Sequence, residues 1–447
     1  MKKTFLCFLI ISIFFCGILP AQEINIMAGK VDVTNYSINL KINDNDYSIN
    51  GTTGIEFKTL ADINELKFNF QKLDVLNCLL DGQNTPFNYD NNLITINTSV
   101  SLPTGLTHNI SINYSGRPKD GLIIKKNKYG NFCAFSDNWA NRARNWFPSV
   151  DHPSDKATVS FNVTVPNKYR VIANGALVKT AVTGDEITFT YKMDVLTPTY
   201  CMVIGVCKFS VAETKTASGI PIYSYTYPED SLNAVKGFQK AADIVNYYES
   251  VIGPYPFTKL ALVESSTIFG GMENSSAIFF PENSRAFTDK GNDEETVAHE
   301  IAHQWFGDDV TESDWSELWL SEGFATYFQM LYYEKCEGTE KFNELVKNTR
   351  TNYLNHAGGV PVINRHYKNL FSLLNAENYQ KGALFLHALR KNIGDDAFFK
   401  GIKEYYQKFK HSNVTTGGFK GVMQDVSNKN LTVLFDEWLN NTGLPAE

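Results

Sequence analysis

Long apolar runs are nearly absent. Beyond the first two dozen residues, no stretch of the 447-residue chain is long and apolar enough to cross a bilayer. Cysteine is scarce, with seven residues, of which Cys7 and Cys16 lie in the N-terminal segment. The other five, Cys78, Cys133, Cys201, Cys207 and Cys336, form no CxxC pair and show no metal-ligand spacing. They allow at most two bridges and leave one thiol over, and the simplest expectation is that most are buried small hydrophobes. A positive charge excess is also missing. The net charge of -7 argues against a nucleic-acid-binding surface as the main business of the chain. There are no internal repeats and no low-complexity linker.

What is present describes a folded chain. A hydrophobic share of 43% with 20% charged residues is globular, and the length suggests two or three domains. Lys2 and Lys3 precede an apolar run from Phe5 to Leu19, and Ala21-Gln22 follows. This is the pattern of a secretory signal peptide over residues 1–21, cleaved after Ala21. A lipoprotein signal ending at Cys16 would need small residues where Phe14 and Phe15 stand, and an uncleaved anchor is the other alternative. The mature chain is expected to be exported, periplasmic or extracellular, with no membrane span. Asn-x-Ser/Thr triplets, as at Asn97, Asn113 and Asn162, are expected by chance in so Asn-rich a chain.

From Gln22 to about Phe209 the hydrophobic period is two. Tyr36, Ile38, Leu40 and Ile42 alternate with polar residues, and Asn50-Gly51, Asp81-Gly82 and Asn174-Gly175 punctuate the runs. Many short strands at this spacing predict an all-β domain. Near Asp230 the period changes. Leu232, Val235, Phe238, Ala242, Val245 and Tyr248 predict an amphipathic helix stopped by Gly253-Pro254. Most later segments read as helix, with Leu260–Val263 as a short strand. The boundary between residues 22–212 and 213–447 follows from that change. No second β-domain follows the helical part.

The chemistry concentrates in His299-Glu300-Ile301-Ala302-His303. Four residues apart on a helix, His299 and His303 share one face and can converge on one ion. Asn292 can cap that helix, with Glu295 as reciprocal partner, and Val297, Ile301 and Trp305 give it an apolar stripe. A catalytic zinc takes three protein ligands and keeps one open position. Glu322, on a second helical stretch from Trp315 to Tyr333, supplies the third. Glu300, beside His299, is placed to take a proton from a water at the open position. In this composition a chance HExxH has a probability on the order of one in a hundred, and a correctly spaced Glu lowers it more than tenfold again.

His-Glu-x-x-His, eighteen residues and then Glu resembles the motif of the M1 family of zinc aminopeptidases. Gly270-Gly271-Met272-Glu273-Asn274 matches the family's GxMEN motif, Trp305-Phe306-Gly307 and Trp319 to Ala325 look like its flanks of the zinc motif, and Tyr379 to Ala383 resembles its YxKGA segment. Trp146 to Pro153 is similar to a segment of its N-terminal β-domain. The resemblance covers most of the mature chain. It implies a multidomain α+β fold, in which an antiparallel, saddle-like β-rich domain precedes a mainly helical, thermolysin-like catalytic domain. It implies one zinc ion per chain on His299, His303 and Glu322, with Glu300 and Tyr379 as catalytic residues. Glu273 would bind the free α-ammonium of a peptide. Gly270, Gly271, Met272 and Asn274 would complete the substrate-binding segment, with the glycine backbone lying along the substrate. Tyr379 would donate to the oxyanion.

Two departures stand out. Relatives often supply a Gln or Glu from the β-domain as a second contact to the amine, and Ser136-Asp137-Asn138-Trp139 holds no obvious equivalent. Larger members also carry a further β-sandwich and a C-terminal helical domain that roof the site, which are missing here. Two other functions stay open: the epoxide-hydrolase branch of the same family, and a catalytically dead peptide-binding protein. Side-chain preference and oligomeric state are not legible. A more open cleft with weak length selection is expected, so a peptide ladder of two to ten residues should be cleaved without a sharp upper limit. A steep cut-off in kcat/KM within that range would contradict it.

Overall fold

The computed structural model describes residues 23–288 and 293–445, so the expected signal segment lies outside the described residues. Period-two patterning builds the first part. Val31–Ile42 buries Val31, Val33, Tyr36, Ile38, Leu40 and Ile42 and turns the intervening residues outward. It stands inside an eight-stranded sheet, in the order Ala176–Thr183, Glu186–Pro198, Lys156–Pro166, Val31–Ile42, Ile49–Thr59, Thr107–Gly116, Asp74–Leu80 and Gln83–Asn84. Neighbours run antiparallel except Val31–Ile42 and Lys156–Pro166, which run parallel. That one parallel pair joins segments far apart in the chain, as parallel pairing requires a long crossover.

A smaller sheet orders Arg170–Ala173, Ile204–Cys207, Phe132–Ser136 and Leu122–Lys126. Here Cys133 and Cys207 form a disulfide. Four of the five cysteines are buried, as expected, and two of those four are paired: Cys78 and Cys201 are free and buried, and Cys336 is free and exposed.

The second part is organised on a mixed sheet of Ser210–Lys215, Pro221–Thr226, Leu260–Ser265 and Ala277–Pro281. Leu260–Ser265 is buried at every position, as an apolar run covered on both faces should be. The helix expected near residues 232–248 is two helices, α1 (Ser231–Gly237) and α2 (Ala241–Val251). α1 presses Ala234 and Gly237 inward and leaves Leu232 and Val235 exposed. The predicted stripe is therefore continuous only from Phe238 onward.

The remaining helices that frame the site are α3 (Glu294–His303), α4 (Trp319–Glu337), α5 (Thr339–His356) and α6 (Gly382–Ile393). α4 is buried nearly all round through its first three turns, which marks it as the central helix. It crosses α6 where Gly323 meets Gly382. A Cβ on either glycine would stand 2.9 Å from the other's Cα, closer than packed carbons approach. Among the described residues no helix is long and apolar enough to cross a membrane.

A polar joint, with both acids buried, ties the two parts together. Lys128, from the β-rich part, places its ammonium 2.7 Å from Asp230 and 2.9 Å from Glu264 and donates to the Glu282 carbonyl at 2.8 Å. Glu264 also accepts from Tyr227 N at 2.9 Å. Burial, and then the hydrogen bond shared with Asp230, push the Glu264 carboxyl up to about 8, while Lys128 pulls the other way. The Asp230 carboxyl is held below its ordinary value by Lys128, Tyr129 and that shared bond, against burial. Glu264 thus keeps a proton in the folded chain that the unfolded chain releases near pH 4.5. Its contribution is full below that pH and is lost as pH rises through about 8. Glu264→Gln, which mimics the protonated acid, should match wild type in thermal melts near pH 5 and become the more stable protein at pH 9. A difference in Tm that does not change across that range would refute this account.

Candidate active site

α3 begins at Glu294 with Asp293 as N-cap, whose carboxylate accepts from Thr296 Oγ1 at 2.8 Å. The expected cap, Asn292, lies outside the described residues. Glu295 is therefore a first-turn residue, held from α4 by Gln329 Nε2 at 3.0 Å. Val297, Ala298, Ile301 and Ala302 are buried, which leaves the His299–His303 edge facing α4.

His299 Nε2 and His303 Nε2 lie 3.1 Å apart, and each lies 3.3 Å from Glu322 Oε2. Atoms about 2.0–2.2 Å from a tetrahedral ion stand about 3.3–3.6 Å from one another. The three therefore outline one face of such a tetrahedron. The protonation pattern fits as well. A carbonyl cannot donate, so His303 Nδ1 carries the proton it gives to Phe306 O at 3.1 Å, with Ser321 Oγ at 2.9 Å beside it. The lone pair is then left on Nε2. Gln329 is hydrogen-bonded to His299. Burial alone would raise the Glu322 carboxyl, but the adjacent imidazoles hold it well below its ordinary value, so it stays a carboxylate.

The neighbouring acids lean the other way. Burial drives Glu300 and Asp308 well above the carboxylate range, and Glu273 is pushed to about 7. Repulsion from neighbouring carboxylates adds to each shift: from Glu322 and Asp137 at Glu273, from Glu273, Glu322 and Asp308 at Glu300, and from Glu273 at Asp308. Three buried acids beside a His-His-Glu triangle make an environment that a divalent cation suits.

The Gly270–Asn274 segment lies along the edge of the mixed sheet, where Met272 and Phe279 exchange two backbone hydrogen bonds of 2.8 Å. Gly271 runs against the Glu300 side chain, and a methyl group built there would overlap its carboxylate. At Gly270 a methyl group would meet open space, so only Gly271 is demanded by packing. Gln304, the residue after His303, locks this segment to α3. It donates to the Glu273 carbonyl at 2.5 Å and accepts from Ser276 N at 2.8 Å. The β-rich part braces the same loop through Asn174 Nδ2 on the Ser275 carbonyl, at 2.7 Å.

Nine of the ten residues expected at the site are brought together. A cavity of about 310 Å³ is lined by Gly270, Gly271, Met272, Glu273, His299, Glu300, His303, Glu322 and Tyr379. Asn274 is the exception. It is fully buried behind the segment, with its amide on the Met272 carbonyl at 3.3 Å. It supports the backbone and does not reach the cavity. Tyr379 stacks on His299 with ring centroids 6.0 Å apart and donates to Glu322 Oε1 at 2.7 Å. The Gly323–Gly382 crossing makes that contact possible, since Glu322 adjoins one glycine and Tyr379 lies one turn before the other.

Neither Asp137 nor Asn138 reaches the cavity. Asp137 pairs with Arg142 at 2.9 Å and accepts from Ile268 N at 3.1 Å. Asn138 accepts from Trp146 Nε1 at 2.8 Å and donates to the Met202 carbonyl at 2.6 Å. The wall residue from that stretch is Trp139, packed edge-on to Phe269 at 5.8 Å. Trp139, Phe269, Thr296, Gln329 and Leu374 also line the cavity, and sequence reasoning missed them. For Phe269 the available signal was its place directly before Gly270. For Gln329 it was its place seven residues after Glu322.

A family model described as the Peptidase M1 N-terminal domain matches residues 33–201, and one described as the Peptidase family M1 domain matches residues 237–438. Aminopeptidase M1-D of Oryza sativa is 29% identical over 68% of this chain and 36% of its own length. Glutamyl aminopeptidase of Sus scrofa is 28% identical over 76% of this chain and 38% of its own. The chain spans about a third to a half of the length of the curated relatives it matches. The fold is that of the M1 zinc metallopeptidase from Deinococcus radiodurans, with a TM-score of 0.82 at 22% identity over 93% of this chain and 96% of that one. With both models of one family matched in order, and their motifs assembled around a single cavity, the chain belongs to peptidase family M1.

Proposed function

We propose that the protein is a zinc-dependent aminopeptidase that removes the N-terminal residue from peptides. The observation that carries this reading is the Glu273 carboxylate, buried beside the His-His-Glu triangle with no other described residue hydrogen-bonded to it. Such an acid recognises an ammonium group, and the free ammonium of a peptide's first residue fits it. The comparisons support the reading through aminopeptidase relatives that this chain covers in part.

His299, His303 and Glu322 would hold one zinc ion. Bound there, zinc supplies Lewis acidity, polarising the scissile carbonyl and lowering the pKa of water towards about 7. Glu300 accepts a proton from the attacking water and returns it to the leaving nitrogen. Gly271 permits this by letting the backbone pass against the Glu300 carboxylate. Tyr379 donates to Glu322 in the resting structure, and its hydroxyl is the nearest phenol that can turn to the oxyanion. Glu273 orients the substrate through its amine. Trp139, Phe269 and Leu374 form the apolar wall for the first side chain.

We also read the chain as exported. Lys2, Lys3 and the apolar run from Phe5 to Leu19 support that reading.

An aminoacyl chromogenic anilide, assayed with and without a chelator, tests the activity. Hydrolysis should vanish with the chelator and return with zinc, and the N-acetylated anilide should stay uncleaved. Hydrolysis of the acetylated form at a comparable rate would remove the role of Glu273. Glu300→Gln should retain zinc but lose turnover by at least about 10²-fold. Gly271→Ala should lower kcat by about tenfold or more with metal content unchanged, because the added methyl displaces the proton acceptor. Wild-type kcat in that variant would sink the packing argument.

A further inference from the structure

The Gly270–Asn274 segment reaches the strand Ala277–Pro281 through a tight turn, in which Ala277 N donates to the Asn274 carbonyl at 2.8 Å. Ser276, the third residue of that turn, has a φ of 64°. A left-handed residue at this place is ordinarily glycine or asparagine, because a Cβ disfavours the conformation. Serine stands here instead, fully buried, so its surroundings have to impose a shape that the residue does not favour. The turn begins at the residue after Glu273, and its shape sets the path of the backbone that carries the Glu273 carboxylate.

Three residues grip Ser276. Its N–H donates to Gln304 Oε1 at 2.8 Å, and its hydroxyl accepts from Gly175 N at 2.8 Å. Lys259 supplies the rest. Its ammonium lies 3.1 Å from the Ser276 carbonyl and 3.2 Å from the Ser276 hydroxyl. It also donates to the Ala173 carbonyl of the β-rich part at 3.0 Å. An ammonium has three donors, and each meets an acceptor. The Lys259 backbone is tied into the same ring, since the Tyr255 hydroxyl lies 3.1 Å from the Lys259 carbonyl and 3.0 Å from Gln304 Oε1.

The partners of the Lys259 ammonium are all neutral, and burial pushes it down to about 7. A lysine kept only to join the two parts would be better held by carboxylates, as Lys128 is. Lys259 directs two of its three donors at one residue of one turn instead.

We propose that Lys259 is a positioning residue for amine recognition: it holds Ser276 in its left-handed conformation, and so fixes the place of the Glu273 carboxylate in the cavity. The inference rests on the aminopeptidase reading, in which Glu273 takes the ammonium of the substrate. Lys259 does not line the cavity and touches no substrate. The metal triangle stands on α3 and α4, so loss of Lys259 impairs recognition of the amine and spares the metal.

The test is equilibrium binding to the zinc-loaded Glu300→Gln protein, which is expected to bind without turnover. The ligands are Ala-Ala and propionyl-alanine, which differ only in the amine, so the ratio of their dissociation constants reads the amine alone. With Lys259 present, propionyl-alanine should bind at least about tenfold more weakly, the effect of one hydrogen bond between charged groups. Adding Lys259→Met should bring the ratio to about threefold or less with zinc content unchanged. Where Glu273→Ala has already removed the acid, Lys259→Met should change the ratio no further. A merely loosened fold would weaken both ligands alike and leave the ratio as it was. That result, or loss of zinc from the Lys259→Met protein, would overturn the proposal. Ser276→Ala removes one of the three acceptors and is the milder variant should Lys259→Met not fold. It should lower the ratio by about threefold, and an unchanged ratio would equally overturn the role of Lys259. A ratio near one before any change at Lys259 would instead overturn the amine-binding role of Glu273, and the aminopeptidase reading with it.

Discussion

Everything at this site depends on the packing of α3 against α4. Two imidazoles and a carboxylate have to meet within about 3.3 Å, and no loop could hold that spacing against thermal motion. The apolar stripe of α3 locks it into the core, and the nearly all-round burial of α4 fixes the position of Glu322. Gln304 then carries the constraint sideways into the Gly270–Asn274 segment, so the metal triangle and the Glu273 carboxylate are positioned by one helix.

The same packing creates an electrostatic problem. Glu273, Glu300 and Asp308 are all buried within reach of one another, and desolvation disfavours the ionised form of each. Removing charge from water is expensive unless an opposite charge is supplied. A divalent cation answers this for the whole group at once. The joint between the two parts meets a smaller version of the problem with Lys128, which is shared by Asp230 and Glu264. In both places a cation holds acids together where two elements join, and in both the cost is concentrated where the chain needs a defined geometry.

Most of the site was legible in the sequence because its requirements are local. Four-residue spacing on a helix places His299 and His303, and short motifs mark Glu273, Glu322 and Tyr379. The period-two and longer-period regions also announced the β-rich and helical parts. What remained hidden depends on tertiary contact. The helix break at Phe238–Lys240 follows from which face of α1 is buried, and hydrophobicity alone pointed to Leu232 and Val235 instead. Asn274 belongs to a motif of cleft residues but turns away from the cavity. The Cys133–Cys207 bond joins strands whose adjacency no spacing rule reveals. Trp139 and Leu374 come from distant segments and carry no pattern of their own.

The contact of Gly323 with Gly382 reaches beyond packing into heredity. The two positions lie about sixty residues apart in the chain, yet they are one object in space. A side chain acquired at either would part α4 from α6 and move Glu322 and Tyr379 away from each other together. No change within the same segment could repair that loss, because the space is missing on the other helix. Descent with modification is therefore expected to treat Ser321–Ala325 and Tyr379–Ala383 as a single inherited unit, kept or lost together.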